Sequence, residues 1–357
     1  MADGVRCMVL RGGSSKGAYF LSDDLSADVA ARDDLLLRIM GSPDGRQIDG
    51  IGGAHPLTSK VAIVSPSTGG GADVDYLFLQ VSVDEPLVSD RQNCGNLLAG
   101  VAPFAIERGL VVVDAEADRA EVRVRMLNTD SLATATVSVA GGVPVYDGST
   151  AISGVPGTAA EIRLDFDGIA GGSTGALLPT SNLRDTIAGV DCTLIDNGMP
   201  VVVMRADAVG VVGDEAPADL EANQALRAKL EQIRREAGEL MGLGDVTDTT
   251  VPKLTMVSTP RSGGHLATRT FIPHRCHQAI GVLGAVSVAT AALLPDSPAF
   301  EVRHGGTESI VTLEHPTGTF DASVSVAIDG GDVTVERAGI VRTARKLMDG
   351  LVYPRRS

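Results

Sequence analysis

The hydrophobic and polar positions of this chain follow two different periods, one typical of β-strands and one of helices. Short apolar or alternating segments bounded by Gly, Pro, Asn and Asp predict strands, because successive side chains of a strand point to opposite faces. Such segments lie at residues 7–10, 18–21, 61–64, 76–83, 111–113, 120–126, 132–139, 161–166, 190–195, 201–204, 253–258, 267–272, 301–303, 309–313, 319–328 and 333–340. Apolar residues at helical spacing predict helices at 33–40, 97–106, 220–241 and 279–293.

Two of these helices carry almost only small apolar side chains. Residues 97–106 follow the polar loop Asp-Arg-Gln-Asn-Cys-Gly-Asn at 90–96, and residues 279–293 follow His-Arg-Cys-His-Gln at 274–278. A helix that is apolar on all sides must be enclosed by other elements. The repeated plan predicts an α+β fold of two similar domains, each a curved, mostly antiparallel sheet around a central helix, with both helix starts facing one cleft.

The composition is that of a globular protein of ordinary hydrophobicity, with 44% hydrophobic and 21% charged residues in 357. The formal net charge of −15 argues against binding to nucleic acid or to anionic membranes. No basic segment followed by a long apolar stretch opens the chain, and the apolar run 285–294 is too short to span a bilayer. The sequence therefore predicts a cytoplasmic protein, and its four cysteines, without C-x-x-C spacing, predict reduced thiols.

Cys94 is the first candidate for chemistry, because it stands where a polar loop turns into a helix. The unpaired N–H groups and the positive dipole end of a helix start stabilise a thiolate and also bind carboxylates. This position therefore predicts a thiol that exchanges a proton beside an anion site.

A glycine- and serine-rich turn, Arg-Gly-Gly-Ser-Ser-Lys-Gly at 11–17, separates the first two predicted strands. Its N–H groups and hydroxyls could converge on an anion, although a plain hairpin turn explains the pattern equally well. The turn lacks the spacing of a nucleotide-binding P-loop and leads into a strand, which argues against that function.

Lys60 is the second candidate, because it stands at the mouth of the buried strand 61–64 after a long glycine-rich loop. Desolvation there favours the neutral amine that can act as a base. The alternative is a solvent-exposed lysine at a strand end.

Several motifs, taken together and in order, resemble the 2-methylaconitate isomerase family, which has the diaminopimelate-epimerase-like fold. The resemblance covers nearly the whole chain. It rests on the segments 11–17, 49–53 (Asp-Gly-Ile-Gly-Gly), 59–64 (Ser-Lys-Val-Ala-Ile-Val), 93–96 (Asn-Cys-Gly-Asn), 197–200, 274–278, 342–345 and 348–350.

The resemblance implies a first domain at 1–180 that carries Lys60 and Cys94, and a second at 181–340 that carries residues 275–277. It also implies that the final segment, 341–357, returns to the first domain. Lys60 and Cys94 would be the proton-transfer residues, with no cofactor and no metal. The substrate-binding residues would be Arg11, Gly12, Gly13, Ser14, Ser15, Ser59, Asn93, Gly95, Asn96, Ser181, Asn182, Arg275 and His277.

The implied function is a keto–enol tautomerisation of 4-oxalomesaconate, in gallate and protocatechuate degradation. The partner would be a small unsaturated di- or tricarboxylate, and the chain could form a homodimer. One alternative is a 1,3-allylic isomerase that moves a double bond in 4-oxalomesaconate or 2-methylaconitate. Another is a racemase, for which Cys94 and Cys276 would both have to be active, whereas the isomerase pattern makes Cys276 a packed thiol. A third is a non-catalytic tricarboxylate-binding partner of an aconitase-like enzyme.

A metal site at residues 274–277 is a further possibility that the spacing disfavours. His274, Cys276 and His277 stand closer together than in common zinc patterns, and no second cluster supplies a fourth ligand.

Overall fold

The computed structural model describes residues 4–91, 93–305, 310–330 and 332–356. The chain divides into two compact units, unit 1 (Met1–Asp167 and Val341–Ser357) and unit 2 (Gly168–Ile340). The division falls at residue 167 rather than at 180, because the strand Glu161–Phe166 still pairs with Ser131–Ala140 of unit 1. The turn that follows donates hydrogen bonds to Asp196 of unit 2.

Unit 1 contains nine strands and two α-helices among its described residues, and the final segment adds the end of a strand that begins in unit 2. These are β1 (Val5–Gly12), β2 (Ser15–Leu21), α1 (Val29–Met40), β3 (Lys60–Pro66), β4 (Val74–Val81), β5 (Val88–Ser89), α2 (Gly95–Glu107), β6 (Arg119–Met126), β7 (Ser131–Ala140), β8 (Val143–Pro144) and β9 (Glu161–Phe166).

Unit 2 contributes the remaining elements of the described chain. They are β10 (Asp185–Ile187), β11 (Val190–Asp196), β12 (Pro200–Arg205), α3 (Pro217–Ala222), α4 (Gln224–Leu240), β13 (Lys253–Ser258), β14 (Leu266–Phe271), α5 (Val282–Leu293), α6 (Pro298–Val302), β15 (Ile310–His315), β16 (Gly318–Asp329) and β17 (Asp332–Val352).

The two units repeat one order of strand pairing. In unit 1, β1–β2 is antiparallel, β2–β3 parallel, β3–β4 antiparallel, β4–β6 parallel, and β6–β7 and β7–β9 antiparallel. In unit 2, β11–β12 is antiparallel, β12–β13 parallel, β13–β14 antiparallel, β14–β15 parallel, and β15–β16 and β16–β17 antiparallel. The prediction of an α+β chain with two similar, mostly antiparallel halves is therefore confirmed within each unit.

Each sheet encloses one of the two helices that the sequence marks as apolar. Helix α2 contacts β1 to β4 and β6 to β9, and its residues from Leu97 to Ile106 are buried. Helix α5 contacts β11, β12, β15 and β16, and is buried from Gly284 to Ala292. Among the described helices, none is both long and apolar enough to cross a membrane.

Three predicted elements differ from the structure. Residues 111–113 form no strand, and Val112 is 92% exposed, so branched side chains without a partner strand do not suffice. Residues 301 and 302 are the last two residues of helix α6 and residue 303 is its C-cap. The helix forms here because Ser297 caps its start and Pro298 is its first residue. The predicted helix 220–241 is two helices, separated at Asn223, whose side chain caps α4 by accepting from the Leu226 N–H.

Two further boundaries need comment. The second small-residue helix begins at Val282 rather than at 279, with Gly281 as its N-cap. Within the predicted strand 309–313, Ser309 lies outside the described residues and the rest belongs to β15.

Candidate active site

Cys94 is the N-cap residue of α2, so the prediction that a helix starts at this cysteine is confirmed. Its thiol is partly exposed, and its carbonyl accepts the first intrahelical bond from the Leu98 N–H at 3.0 Å. Within the described residues, the Cys94 side chain makes no capping hydrogen bond. The N–H groups of the first turn therefore lack intrahelical acceptors beside the thiol, as at any helix start.

Two buried tyrosines hold the first turn of α2 from behind. The Tyr76 hydroxyl donates to the Cys94 carbonyl at 3.4 Å, and the Tyr19 hydroxyl donates to the Leu97 carbonyl at 2.6 Å. Burial, with a smaller contribution from the charge of Cys94, raises the pKa of both phenols well above the usual value. Both hydroxyls therefore stay protonated and act as donors that fix the helix start.

The side chain of Asn128 connects the loop before Cys94 to β4 through hydrogen bonds to the backbone of both. Asn128 donates its amide N–H groups to the Phe78 carbonyl at 2.9 Å and the Asp90 carbonyl at 2.7 Å, and its oxygen accepts from the Phe78 N–H. The neighbouring Asn93 donates to Thr129 Oγ1 at 2.6 Å. The amide nitrogen of Asn93, predicted to bind substrate, is thus used to position the loop.

The Gly12–Ser15 turn lies directly on the start of α2, and this contact requires glycine. A Cβ at Gly12 would stand 2.4 Å from the Asn96 carbonyl oxygen, and one at Gly13, where φ is +52°, would stand 2.2 Å from Asn96 Oδ1. Asn96 donates its amide N–H groups to Ser14 Oγ at 3.2 Å and Ser15 Oγ at 3.5 Å. The structure thus brings the predicted residues Gly12 to Ser15, Gly95 and Asn96 together with Cys94.

Two arginines flank this turn with different roles. Arg11 donates to the carbonyls of Gly13 and Thr343, both at 2.9 Å, so its guanidinium anchors the turn to β17. Burial and, to a smaller extent, the charge of Arg345 lower the pKa of Arg11. Arg342, which is 7% exposed, donates its Nε–H to Asn96 Oδ1 at 3.2 Å. Arg342 was not predicted as a site residue, because this contact joins residues 246 positions apart and leaves no local signal in the sequence.

Lys60 is the first residue of β3 and is only 7% exposed, so the alternative of an exposed lysine is wrong. Its Nζ donates to Gln80 Oε1 at 2.7 Å and lies 4.9 Å from the centroid of the Phe78 ring. A Cβ at Gly17 would stand 2.7 Å from Leu97 Cδ2 and 2.8 Å from the Lys60 carbonyl oxygen. The start of β3 and the first turn of α2 therefore both pack against this glycine.

Ser59, predicted to bind substrate, is fully buried. Its hydroxyl accepts from Gln47 Nε2 at 2.7 Å, and the same Nε2 donates to Ser42 Oγ at 3.0 Å. The Ala54 N–H donates to Gln47 Oε1 at 2.9 Å. These contacts use the Ser59 hydroxyl to hold the glycine-rich loop, and its role in substrate binding stays a prediction.

Of three predicted residues of unit 2, two make local side-chain contacts and the third, Ser181, is exposed in a turn. Ser181 is exposed with φ +62°, and Asn182 donates its amide N–H to Asp185 Oδ1 at 2.8 Å within the same turn. The side chain of Arg275 is 82% exposed and pairs with Glu221 at 3.2 Å. These contacts give no support to a shared anion site built from the three residues.

His277 is oriented by the backbone around it. Its Nδ1 accepts from the Ala279 N–H at 2.8 Å, which leaves Nε2 to carry the proton in the neutral ring. Burial, followed by the charge of Lys253, lowers the pKa of His277. A neutral ring with an Nε2–H agrees with the predicted role as a hydrogen-bond donor, which stays a prediction.

Lys253 is a residue that sequence reasoning missed. It is the first residue of β13, as Lys60 is of β3, and the two strands hold the same place in the repeated pairing order. Its Nζ donates to the Thr250 carbonyl at 2.6 Å, and burial lowers its pKa. An alignment of the two halves on their parallel strand pairs, rather than on Cys94 and Cys276, could have found it.

Cys276 differs from Cys94 in both place and chemistry. It lies in the hydrophobic core of unit 2, five residues before the Gly281 cap of α5, and its backbone forms an isolated bridge with Phe271. Burial, opposed by the charge of Arg269, raises the pKa of Cys276 to about 11. The thiol is therefore protonated at neutral pH, which fits the prediction of a packed thiol.

Replacing Cys276 by Ala tests that prediction. We expect kcat and KM to stay within about twofold of wild type, because a buried, protonated thiol takes no part in proton transfer. The free energy of unfolding should fall by about 1 kcal/mol, since a small buried group is lost. Steady-state kinetics and urea unfolding measure the two quantities, and a loss of turnover of 100-fold or more would instead support a two-thiol racemase.

The described ranges contain no group of three or more His, Cys, Asp and Glu side chains placed to share a metal ion. His274 Nδ1 lies 3.9 Å from a Glu231 oxygen, while Cys276 is part of the core. His277 uses Nδ1 to accept from the backbone. The three residues considered as ligands therefore have separate surroundings.

A family model and several known proteins are similar to this chain over nearly its whole length. The model of the PrpF protein family matches residues 3–355. The chain is 57% identical to the (4E)-oxalomesaconate Δ-isomerase of Novosphingobium sp. strain KA1, with 98% of each chain covered. It is 53% identical to the 4-oxalomesaconate tautomerase of Pseudomonas putida, over 98% of this chain and 95% of the relative.

The fold is likewise that of a solved relative. The crystal structure of methylitaconate Δ-isomerase superposes with a TM-score of 0.88 at 35% identity, covering 99% of this chain and 96% of that one. The family model matches nearly the whole chain, and the relative from Novosphingobium is 57% identical over 98% of it. The chain therefore belongs to the PrpF family.

Proposed function

We propose that this isomerase catalyses the keto–enol tautomerisation of 4-oxalomesaconate without a cofactor, in gallate and protocatechuate degradation. The observation that supports the proposal is that unit 1 holds a buried amine at the start of β3 and, at the start of α2, a thiol with a polar turn and a guanidinium, and that Gly17 packs against both the start of β3 and the first turn of α2. Lys60, Cys94, the Gly12–Ser15 turn with Asn96, and Arg342 supply these groups.

The reaction needs a base and an acid, because one C–H proton leaves and one oxygen gains a proton. Lys60 and Cys94 are the pair that moves the proton. The carbanion formed next to the keto group delocalises onto the keto oxygen, which becomes the enol hydroxyl on protonation. The reaction involves no oxidation or reduction. Besides transferring the proton, the residues therefore have to place the substrate and stabilise the enolate.

The Gly12–Ser15 turn would bind a carboxylate of the substrate. The hydroxyls of Ser14 and Ser15, which accept from the Asn96 amide, and the guanidinium of Arg342 are donors of the kind that bind a carboxylate. The N–H groups at the start of α2 add to this, since a helix start attracts negative charge. Holding one carboxylate there would place the acidic carbon next to the thiol of Cys94.

A second candidate is the allylic isomerisation of 4-oxalomesaconate, which moves a carbon–carbon double bond. The relative from Novosphingobium, named a Δ-isomerase, favours it, since its identity to this chain is as high as that of the tautomerase. The same two residues would serve both reactions. The difference is whether the proton ends on oxygen or on a remote carbon.

An NMR experiment in D₂O with the keto form of 4-oxalomesaconate separates the two. Tautomerisation predicts rapid appearance of the enol form, with the carbon–carbon double bond of the keto form still in place. Deuterium at a carbon remote from the keto group, together with a moved double bond, would establish the allylic reaction instead. If the protein accelerates the reaction of neither this substrate nor 2-methylaconitate over the rate in buffer, the result would favour the alternative of a non-catalytic tricarboxylate-binding protein.

A further inference from the structure

We infer that Gln80 is a positioning residue for Lys60, whose amide oxygen both fixes the amine in place and stabilises its protonated form. The inference rests on the proposed function, in which Lys60 transfers the proton. Gln80 lies on β4 directly opposite Lys60 on β3 in the antiparallel register. None of the motifs that carry the resemblance to relatives includes it.

The orientation of the Gln80 amide is dictated by the backbone. Its Nε2 donates to the carbonyls of Ser59 at 2.9 Å, Pro56 at 3.1 Å and Val81 at 3.3 Å. An amide nitrogen is a donor only, so acceptors on this side exclude the flipped amide. The oxygen must therefore point to Lys60, and it accepts from Nζ at 2.7 Å.

This fixed acceptor favours the ammonium over the amine. A carbonyl oxygen binds a charged donor more strongly than a neutral one, and the Phe78 ring face at 4.9 Å also attracts a cation. Both contacts stabilise the state that Lys60 reaches after it takes a proton.

Few other charges stand on the elements packed against the start of β3. The ionisable side chains on these elements are Lys16 and Tyr19 on β2, Asp75 and Tyr76 on β4, Asp49 and His55 in the preceding loop, Cys94 at the start of α2 and Glu107 at its end. Asp75 pairs with Arg125 and Glu107 with Lys346. Burial keeps both tyrosines neutral. Gln80 is therefore the contact whose replacement should act most directly on the proton equilibrium of Lys60.

The test follows the Lys60 amine by NMR in protein labelled with ¹³C at lysine Cε. The chain has five lysines, so the spectrum is simple, and Lys60→Arg assigns the signal. The five are Lys16, Lys60, Lys229, Lys253 and Lys346. With Gln80→Leu, the pH of half-titration of this signal should fall by about one unit, and with Gln80→Glu it should rise by about one unit.

The kinetics should move with the titration. The limb of the kcat/KM–pH profile that reports Lys60 should shift to lower pH with Gln80→Leu and to higher pH with Gln80→Glu. At pH values above the limb, where Lys60 is neutral in every variant, kcat should fall by about tenfold in each because the amine is no longer held in place, with KM changed less than threefold. Opposite shifts from two substitutions at one position are not expected from a merely structural residue.

Gln47→Leu is the matched control, because Gln47 is also a buried amide that contacts Ser59 but does not touch Lys60. It should lower the free energy of unfolding and leave the half-titration pH of Lys60 unchanged. Equal shifts from Gln47→Leu and Gln80→Leu, or no shift from either Gln80 variant, would overturn the inference.

The NMR titration needs no substrate, so failure of the inference and failure of the proposed function can be distinguished. If Lys60→Ala abolishes turnover while the Gln80 variants titrate like wild type, the inference alone is wrong. If the Gln80 variants shift the titration but Lys60→Ala keeps full turnover, the catalytic role of Lys60 is wrong. Gln80 would then be a structural neighbour and the inference would fall with that role.

Discussion

Lys60→Ala should lower kcat for the keto form of 4-oxalomesaconate by about 10²–10⁴-fold, the range typical of a general acid–base group. The substitution removes the amine that donates to Gln80 Oε1 at 2.7 Å. KM should change little, because the carboxylate-binding groups on the Gly12–Ser15 turn are untouched. Stopped-flow ultraviolet absorbance measures enol formation, and NMR confirms the product.

Two controls separate chemistry from folding in this experiment. Lys229→Ala removes a lysine from α4 of unit 2, where Nζ donates to the Ala188 carbonyl, and should leave kcat unchanged. The melting temperature of Lys60→Ala should show that the variant is folded at the assay temperature. Turnover within threefold of wild type in a folded Lys60→Ala protein would show that another residue moves the proton.

Cys94→Ser should also lower kcat by about 10²–10⁴-fold while a substrate-like tricarboxylate still binds. Serine can keep the N-cap geometry, so α2 should begin at the same residue. Its hydroxyl, however, is a far weaker acid than a thiol and does not exchange a proton readily at neutral pH. Calorimetric titration measures binding, and the ultraviolet assay measures turnover.

This pair of measurements also separates an enzyme from a binding protein. A catalyst loses turnover and keeps binding, whereas for a non-catalytic partner neither quantity would depend on the thiol. Cys276→Ala in parallel shows whether the effect is specific to the thiol at the start of α2. If Cys94→Ser turned over substrate as fast as wild type, Cys94 would have only a structural role in the cap.

Local sequence determined the parts of the candidate site that depend on neighbouring residues. A run of small apolar residues after a polar loop predicts a helix that other elements enclose, because all of its faces are apolar. The loop ends at Cys94, which is the N-cap of α2. The glycines before Ser14 give the turn the backbone freedom and close approach that it needs. Lys60 enters a strand of buried residues, so its own burial follows from its position.

Some errors came from local signals that were present but given too little weight. Ser297 is the N-cap of α6 and Pro298 its first residue, and both residue types are typical of a helix start. The residues that follow at 301–303 were nevertheless predicted to form a strand. Asn223 is a helix cap of the same kind inside what was predicted as one helix. Both show that side-chain capping decides a boundary where hydrophobic periodicity does not.

Only the tertiary structure decided which distant residues join these local pieces. Arg342 reaches Asn96 because the last strand returns to unit 1, and Gln80 faces Lys60 because the register of β3 and β4 pairs them. Cys276 has sequence surroundings like those of Cys94 but lies in a core, since α5 begins five residues later than the pattern of the first half suggests. Sequence sets the conformational preferences of each segment, whereas burial, charge pairing and hydrogen-bond orientation depend on contacts that exist only once the strands have paired.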